Sequence, residues 1–135
     1  MMRVIVNIDV PNLAPAIDFY CNALGLKLNR IIDEDVAELI GASSVIYLLQ
    51  NSAGSRPVSK LPLVRDYSRH WTPVHMDFVV DDVTKAAQRV LGAGATQASE
   101  CIEWKGSKCI TFSDPFGNGF CIIEFARDTY SDDNA

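Results

Sequence analysis

The sequence has 135 residues, of which 48% are apolar and 21% charged, the size and balance of one ordinary globular domain, which excludes a large multidomain enzyme. No stretch approaches the roughly 18 consecutive apolar residues of a membrane span, and the N-terminus shows no long apolar run ahead of a cleavage site, so a soluble, cytoplasmic protein with no membrane partner is expected. The net charge of −5 repels phosphate backbones, which argues against nucleic acid and for a cationic or neutral small ligand.

The chain repeats itself at a shift of 70 residues: Ile5 to Leu13 lies over His75 to Val83, and Ala16-Ile17 lies over Ala86-Ala87. Each copy opens on a strand. Val4, Val6, Ile8 and Val10 alternate with Ile5, Asn7 and Asp9, while Val74, Met76, Phe78 and Val80 alternate with His75, Asp77 and Val79. Period two turns the apolar set towards a helix and leaves the mixed set on the other face, against solvent or a cavity.

A helix follows in each copy. The first carries Leu13, Ala16, Ile17, Tyr20, Cys21 and Leu24 on one stripe, with Asn12 as N-cap and Gly25 just past the end. The second carries Val83, Ala86, Ala87, Val90 and Leu91, capped by Asp82 and ended by Gly92 or Gly94. Extended segments then run 27–33, 36–40 and 44–50 in the first copy and 101–105, 108–112 and 120–125 in the second. The reading is a single domain over 1–135: module 1 (2–50), a connector (51–72), module 2 (73–126) and a polar, frayed tail (127–135). The connector is basic, with Arg56, Lys60, Arg65 and Arg69 against Asp66, and is expected as a solvated loop. The four cysteines, Cys21, Cys101, Cys109 and Cys121, lack CxxC spacing and are expected as reduced, mostly buried thiols.

Two βαβββ modules, with Asp18-Phe19-Tyr20 and Leu24-Gly25-Leu26 in the first and Asp114-Pro115-Phe116-Gly117-Asn118 before the last strand, resemble the vicinal oxygen chelate superfamily. That superfamily includes glyoxalase I, extradiol dioxygenases, fosfomycin-modifying enzymes and bleomycin-binding resistance proteins. The resemblance implies an α+β fold: two pseudo-symmetric βαβββ modules whose curved mixed sheets surround a cleft, commonly in a homodimer. It also implies four metal-ligand positions, which fall on Ile5, Tyr47, His75 and Cys121, with Glu124 on the face opposite Cys121. One imidazole and one thiol are too few to hold a hard divalent cation, so neither a metal nor another cofactor is expected.

The mixed strand faces nominate Asp9 and Asp77 as acids that attract a guest, with His75, Asn7 and Tyr47 orienting it by hydrogen bonds and Cys121 on the same face. Trp104 is similar in placement to aromatics that line the groove of bleomycin-binding members, and with Phe112 it would stack on a planar ligand. The function expected is metal-free sequestration of a planar, cationic or neutral small molecule by a homodimer, without catalytic residues, giving stoichiometric protection as in antibiotic resistance. One alternative is a lyase, isomerase or dioxygenase of the same superfamily using His75 with an atypical metal site. Another is a partner-binding module whose contact surface is the connector around Trp71.

Overall fold

The structure, a computed structural model, describes residues 1–127; all of the expected tail except Arg127 lies outside the described residues. The chain divides into two compact units, the first ending at Ser68 and the second beginning at Arg69.

The first unit runs β1 (Val6–Val10), α1 (Leu13–Leu24), β2 (Lys27–Ile32), β3 (Val36–Ile40) and β4 (Ile46–Gln50). Its sheet has the order β1-β4-β3-β2, with β1 and β4 parallel and the other pairs antiparallel. A parallel pair needs a crossover, and α1 supplies it, packing on the face that carries Ile8, Val10, Ala37, Leu39, Ile46 and Leu48, all buried. The second unit repeats the plan with β5 (Met76–Val79), α2 (Val83–Ala93), β6 (Thr96–Gln97), β7 (Ile102–Trp104), β8 (Ser107–Ser113) and β9 (Gly119–Glu124). Its order is β5-β9-β8-β6, with β7 also pairing β8 and β5 parallel to β9. The fold is α+β with mixed sheets, as expected.

The differences are local. The short β6 was not anticipated: the outer strand of this unit is broken in two, β6 pairing Phe112 and Ser113 while β7 pairs Ser107 to Cys109. On α1 the buried stripe is Leu13, Ala16, Phe19, Tyr20 and Ala23, rotated from the expected one because Phe19 turns inward and meets Tyr20 edge to face, with centroids 4.9 Å apart. Asn12 stands at the N-cap in extended conformation, yet its side chain caps nothing. The first amide of α1, from Leu13, donates instead to Oε1 of Gln50 at 2.8 Å.

That cap follows from strand register. Parallel pairing sets Val10 beside Gln50, so the end of β4 lies where the chain turns into α1. The second unit does the same: Glu124, one residue past the Val79–Ile123 pair, accepts from the amide of Val83 at 2.9 Å, while Asp82 takes the Lys85 amide at 3.1 Å. An oxygen from the last strand thus satisfies a backbone donor that helix geometry leaves orphaned.

The Asp-Pro-Phe-Gly-Asn segment is the β8–β9 turn. The buried Asp114 carboxylate accepts from the amides of Phe116 (2.8 Å) and Asn118 (2.9 Å) and from the Asn118 side chain (3.1 Å). Asp114→Ala is expected to cost about 2–4 kcal/mol because buried donors lose their acceptor, and Gln50→Ala about 1 kcal/mol as a lost helix cap. Urea denaturation of both variants measures this, and wild-type midpoints would remove these roles.

Candidate functional sites on the open sheet faces

On the face of the first sheet away from α1, register aligns one polar row across the strands: Asn7 beside Tyr47, Tyr47 beside Glu38, Glu38 beside Arg30. Glu38 is its centre. Its side chain is only 9% exposed, and a carboxylate so placed requires donors. It has them: Oε1 accepts from Asn29 Nδ2 at 2.7 Å and Arg30 Nε at 3.1 Å, and Oε2 from the Tyr47 hydroxyl at 2.6 Å and Arg30 Nη2 at 3.3 Å. The Tyr47 bond first, then those from Asn29 and Arg30, lowers the Glu38 pKa to about 2, and the same contact raises that of Tyr47. At neutral pH this is a carboxylate with its acceptor sites filled beside a protonated phenol.

Glu38 and Tyr47 line a cavity of about 490 Å3 together with Met1, Met2, Arg3, Val4, Ile5, Ser43, Ser44 and Val45. Because the Tyr47 proton points at Glu38, its oxygen is an acceptor, open to the neighbouring Arg30 and to a guest.

On the corresponding face of the second sheet, away from α2, Asp77 lies beside Cys121, and Cys121 beside Thr111. His75 Nε2 is 3.2 Å from Asp77 Oδ1, and Thr111 Oγ1 is 3.3 Å from Cys121 Sγ. Ligand-type atoms of His75, Asp77 and Cys121 lie within 4.8 Å of one another. The Trp71 ring covers His75, centroids 4.6 Å apart, and its six-membered edge rests on Gly119, where a Cβ would overlap Cε3. A smaller cavity, about 330 Å3, is lined by His70, Trp71, Thr111, Ser113 and Gly119 among others.

The nominated residues are shared between the two units. Tyr47 reaches the first cavity, and Asn7 shares its row. His75, Asp77 and Cys121 come together in the second unit. Asp9 faces the connector: its carboxylate accepts from Arg65 Nε at 2.8 Å and Asn51 Nδ2 at 3.0 Å. Arg65 is only 16% exposed, so this part of the connector is an anchored strap, closed by backbone bonds between Gly54 and Arg65 and between Arg65 and Ser55. Trp104 is exposed on β7 with the Lys105 ammonium 5.2 Å from its ring and borders neither cavity. Phe112 borders the second cavity but is fully buried, stacked on Phe120 at 5.8 Å. Of the cysteines only Cys121 is buried; Cys21 and Cys109 are half-buried and Cys101 is exposed, so the expectation of mostly buried thiols holds for one of the four. Burial first, and Cys121 nearby second, push the Cys109 thiol up to about 12.

Glu38 is the residue that sequence reasoning missed. The signal was present: in Val36-Ala37-Glu38-Leu39-Ile40 it is a lone acid inside an apolar strand, where a charge needs partners.

Two βαβββ units, each with a helix on one sheet face and polar groups on the other, define a protein of the glyoxalase class. The family described as Glyoxalase-like domain matches residues 5–123, and the chain belongs to it. No curated protein matches the sequence. Among solved structures, the chain is similar to lactoylglutathione lyase from Agrobacterium tumefaciens (18% identity, 91% of this chain and 92% of that one, TM-score 0.64). It is also similar to a glyoxalase/bleomycin resistance protein/dioxygenase from Alicyclobacillus acidocaldarius (18%, 96% of each chain, 0.67). A third is a glyoxalase-related enzyme from Fulvimarina pelagi (12%, 92% and 88%, 0.71). At these identities the likeness is one of fold.

The four-ligand metal site implied by the superfamily does not fit these residues. Ile5 offers no donor atom, and the Tyr47 phenol, whose proton is held by its bond to Glu38, offers no anionic oxygen.

Because the Glu38 pKa lies below its usual 4.5, the stability it contributes is complete above about pH 4.5 and drains away as pH falls towards 2. Thermal melts of Glu38→Gln are expected to fall less steeply than wild type across that window; parallel curves would remove Glu38 as the acid-sensitive group.

Proposed function

We propose that the protein is a small-molecule-binding member of the glyoxalase/bleomycin resistance type, holding its guest in the cavity of the first unit without a metal there. The observation that carries this reading is the cavity of about 490 Å3, within the usual range for small-ligand sites and bordered by both apolar side chains and a few fixed polar atoms. Glu38 is neutralised by Arg30, and Arg3 adds a further positive charge, so the guest is neutral rather than cationic. Met1, Met2, Val4 and Ile5 offer exposed apolar surface that a guest would cover, Ser43 and Ser44 offer hydroxyls, and the Tyr47 oxygen accepts from an N–H or O–H of the guest. Sequestration is the outcome: Glu38, with its acceptor sites filled, has no free lone pair to act as a base.

The neutral aromatic amine N-phenyl-1-naphthylamine tests this. Its fluorescence is expected to rise saturably at one probe per chain, with Tyr47→Phe weakening binding about three- to tenfold through one lost hydrogen bond and Ser43→Trp, which fills the cavity, abolishing it. Undiminished binding to Ser43→Trp would sink the reading.

A second reading, catalysis by His75 in a lyase, isomerase or dioxygenase, is favoured by one observation: the imidazole is oriented by Asp77 and lies within 4.8 Å of the Cys121 thiol.

A further inference from the structure

His75 and Cys121 alone are too few to hold a metal, but the second unit adds a third donor. We propose that His75, Asp77 and Cys121 form a zinc site, a mixed nitrogen, oxygen and sulfur set contained within one βαβββ unit. The placement follows from the backbone. His75 and Asp77 are two residues apart along extended chain, so their side chains leave the same face. Parallel pairing of β5 with β9 then sets Cys121 directly beside Asp77.

The imidazole nitrogen, carboxylate oxygen and Sγ lie within 4.8 Å of one another. Zinc at about 2.0–2.3 Å from each ligand brings tetrahedral donors to roughly 3.5 Å separation, a closure that side-chain rotation provides. The His75 and Asp77 side chains, 33% and 42% exposed, have room to turn, and the buried Cys121 stays as the fixed point.

Surrounding groups support the ligands. Thr111 Oγ1, 3.3 Å from Sγ, is placed to hydrogen-bond the thiolate, and the Trp71 ring limits the plane of the imidazole; such outer contacts orient metal ligands and tune them. The donor set selects the ion. Thiolate and imidazole suit zinc, whereas magnesium, calcium and manganese prefer oxygen. Three protein ligands leave a fourth position for water or a small ligand.

This assignment deepens the second reading of His75 and rests on it for a purpose, but its test reads metal binding and not turnover, so the two fail separately. Metal-stripped full-length protein is titrated with Co2+, then with Zn2+ in competition. The expected result is one Co2+ per chain, visible bands of tetrahedral intensity, a thiolate-to-cobalt charge-transfer band in the near ultraviolet, and displacement by Zn2+. Cys121→Ser is expected to lose the charge-transfer band. His75→Ala and Asp77→Asn should weaken binding by at least the roughly tenfold that outer contacts alone cost, and Cys101→Ser, which removes the exposed thiol, should leave the spectrum unchanged. No stoichiometric uptake, a band that survives Cys121→Ser, or a band lost in Cys101→Ser would each overturn the proposal.

Discussion

Parallel pairing of the first strand with the last is the constraint on which each unit depends. Strands that run the same way cannot be joined by a hairpin, so the chain after β1 and after β5 must cross a sheet face, and a helix is the compact way to do it. The crossing covers one face with apolar side chains and leaves the other to polar ones. The same pairing brings the end of the last strand to the point where the helix begins, which is why Gln50 and Glu124 take the first amides of α1 and α2. Topology, the division between faces and helix capping are therefore consequences of one register.

The two open faces answer the same geometry with different chemistry. In the first unit the row is saturated: Glu38 takes donors from Asn29, Arg30 and Tyr47, and a row so committed provides shape and a fixed acceptor. In the second unit Asp77, Cys121 and Thr111 occupy the corresponding row, with His75 beside them. These groups carry nitrogen, oxygen and sulfur lone pairs, the property that ion coordination requires.

Alternation and the 70-residue shift were enough to read the order of elements apart from β6, both helices and the polarity of the two faces of β1 and β5, because those features follow from local spacing. The α+β family assignment was legible too, from the repeat and the Asp-Pro-Phe-Gly-Asn turn. Partners fixed by long-range register were not. Nothing near Leu13 in the chain indicates that Gln50 caps it, and nothing near Asp9 indicates Arg65, 56 residues away. The same limit explains the site. His75 and Cys121 were read from strand alternation, but the closeness of Asp77 to Cys121 depends on which residues of β5 and β9 stand opposite. Glu38 was overlooked because its strand was placed only as an extended segment with neither face assigned, although one acid among four apolar neighbours already demanded an explanation.

Trp71 and Gly119 carry a different kind of consequence. The indole occupies the space in which any larger residue at 119 would place its first side-chain carbon, so the two positions are coupled. A change at 119 displaces the ring from the sheet and uncovers His75, whereas a smaller residue at 71 removes the obstacle first. Sequence change at this pair is thus contingent on order, an epistasis written into the geometry of one bare backbone position.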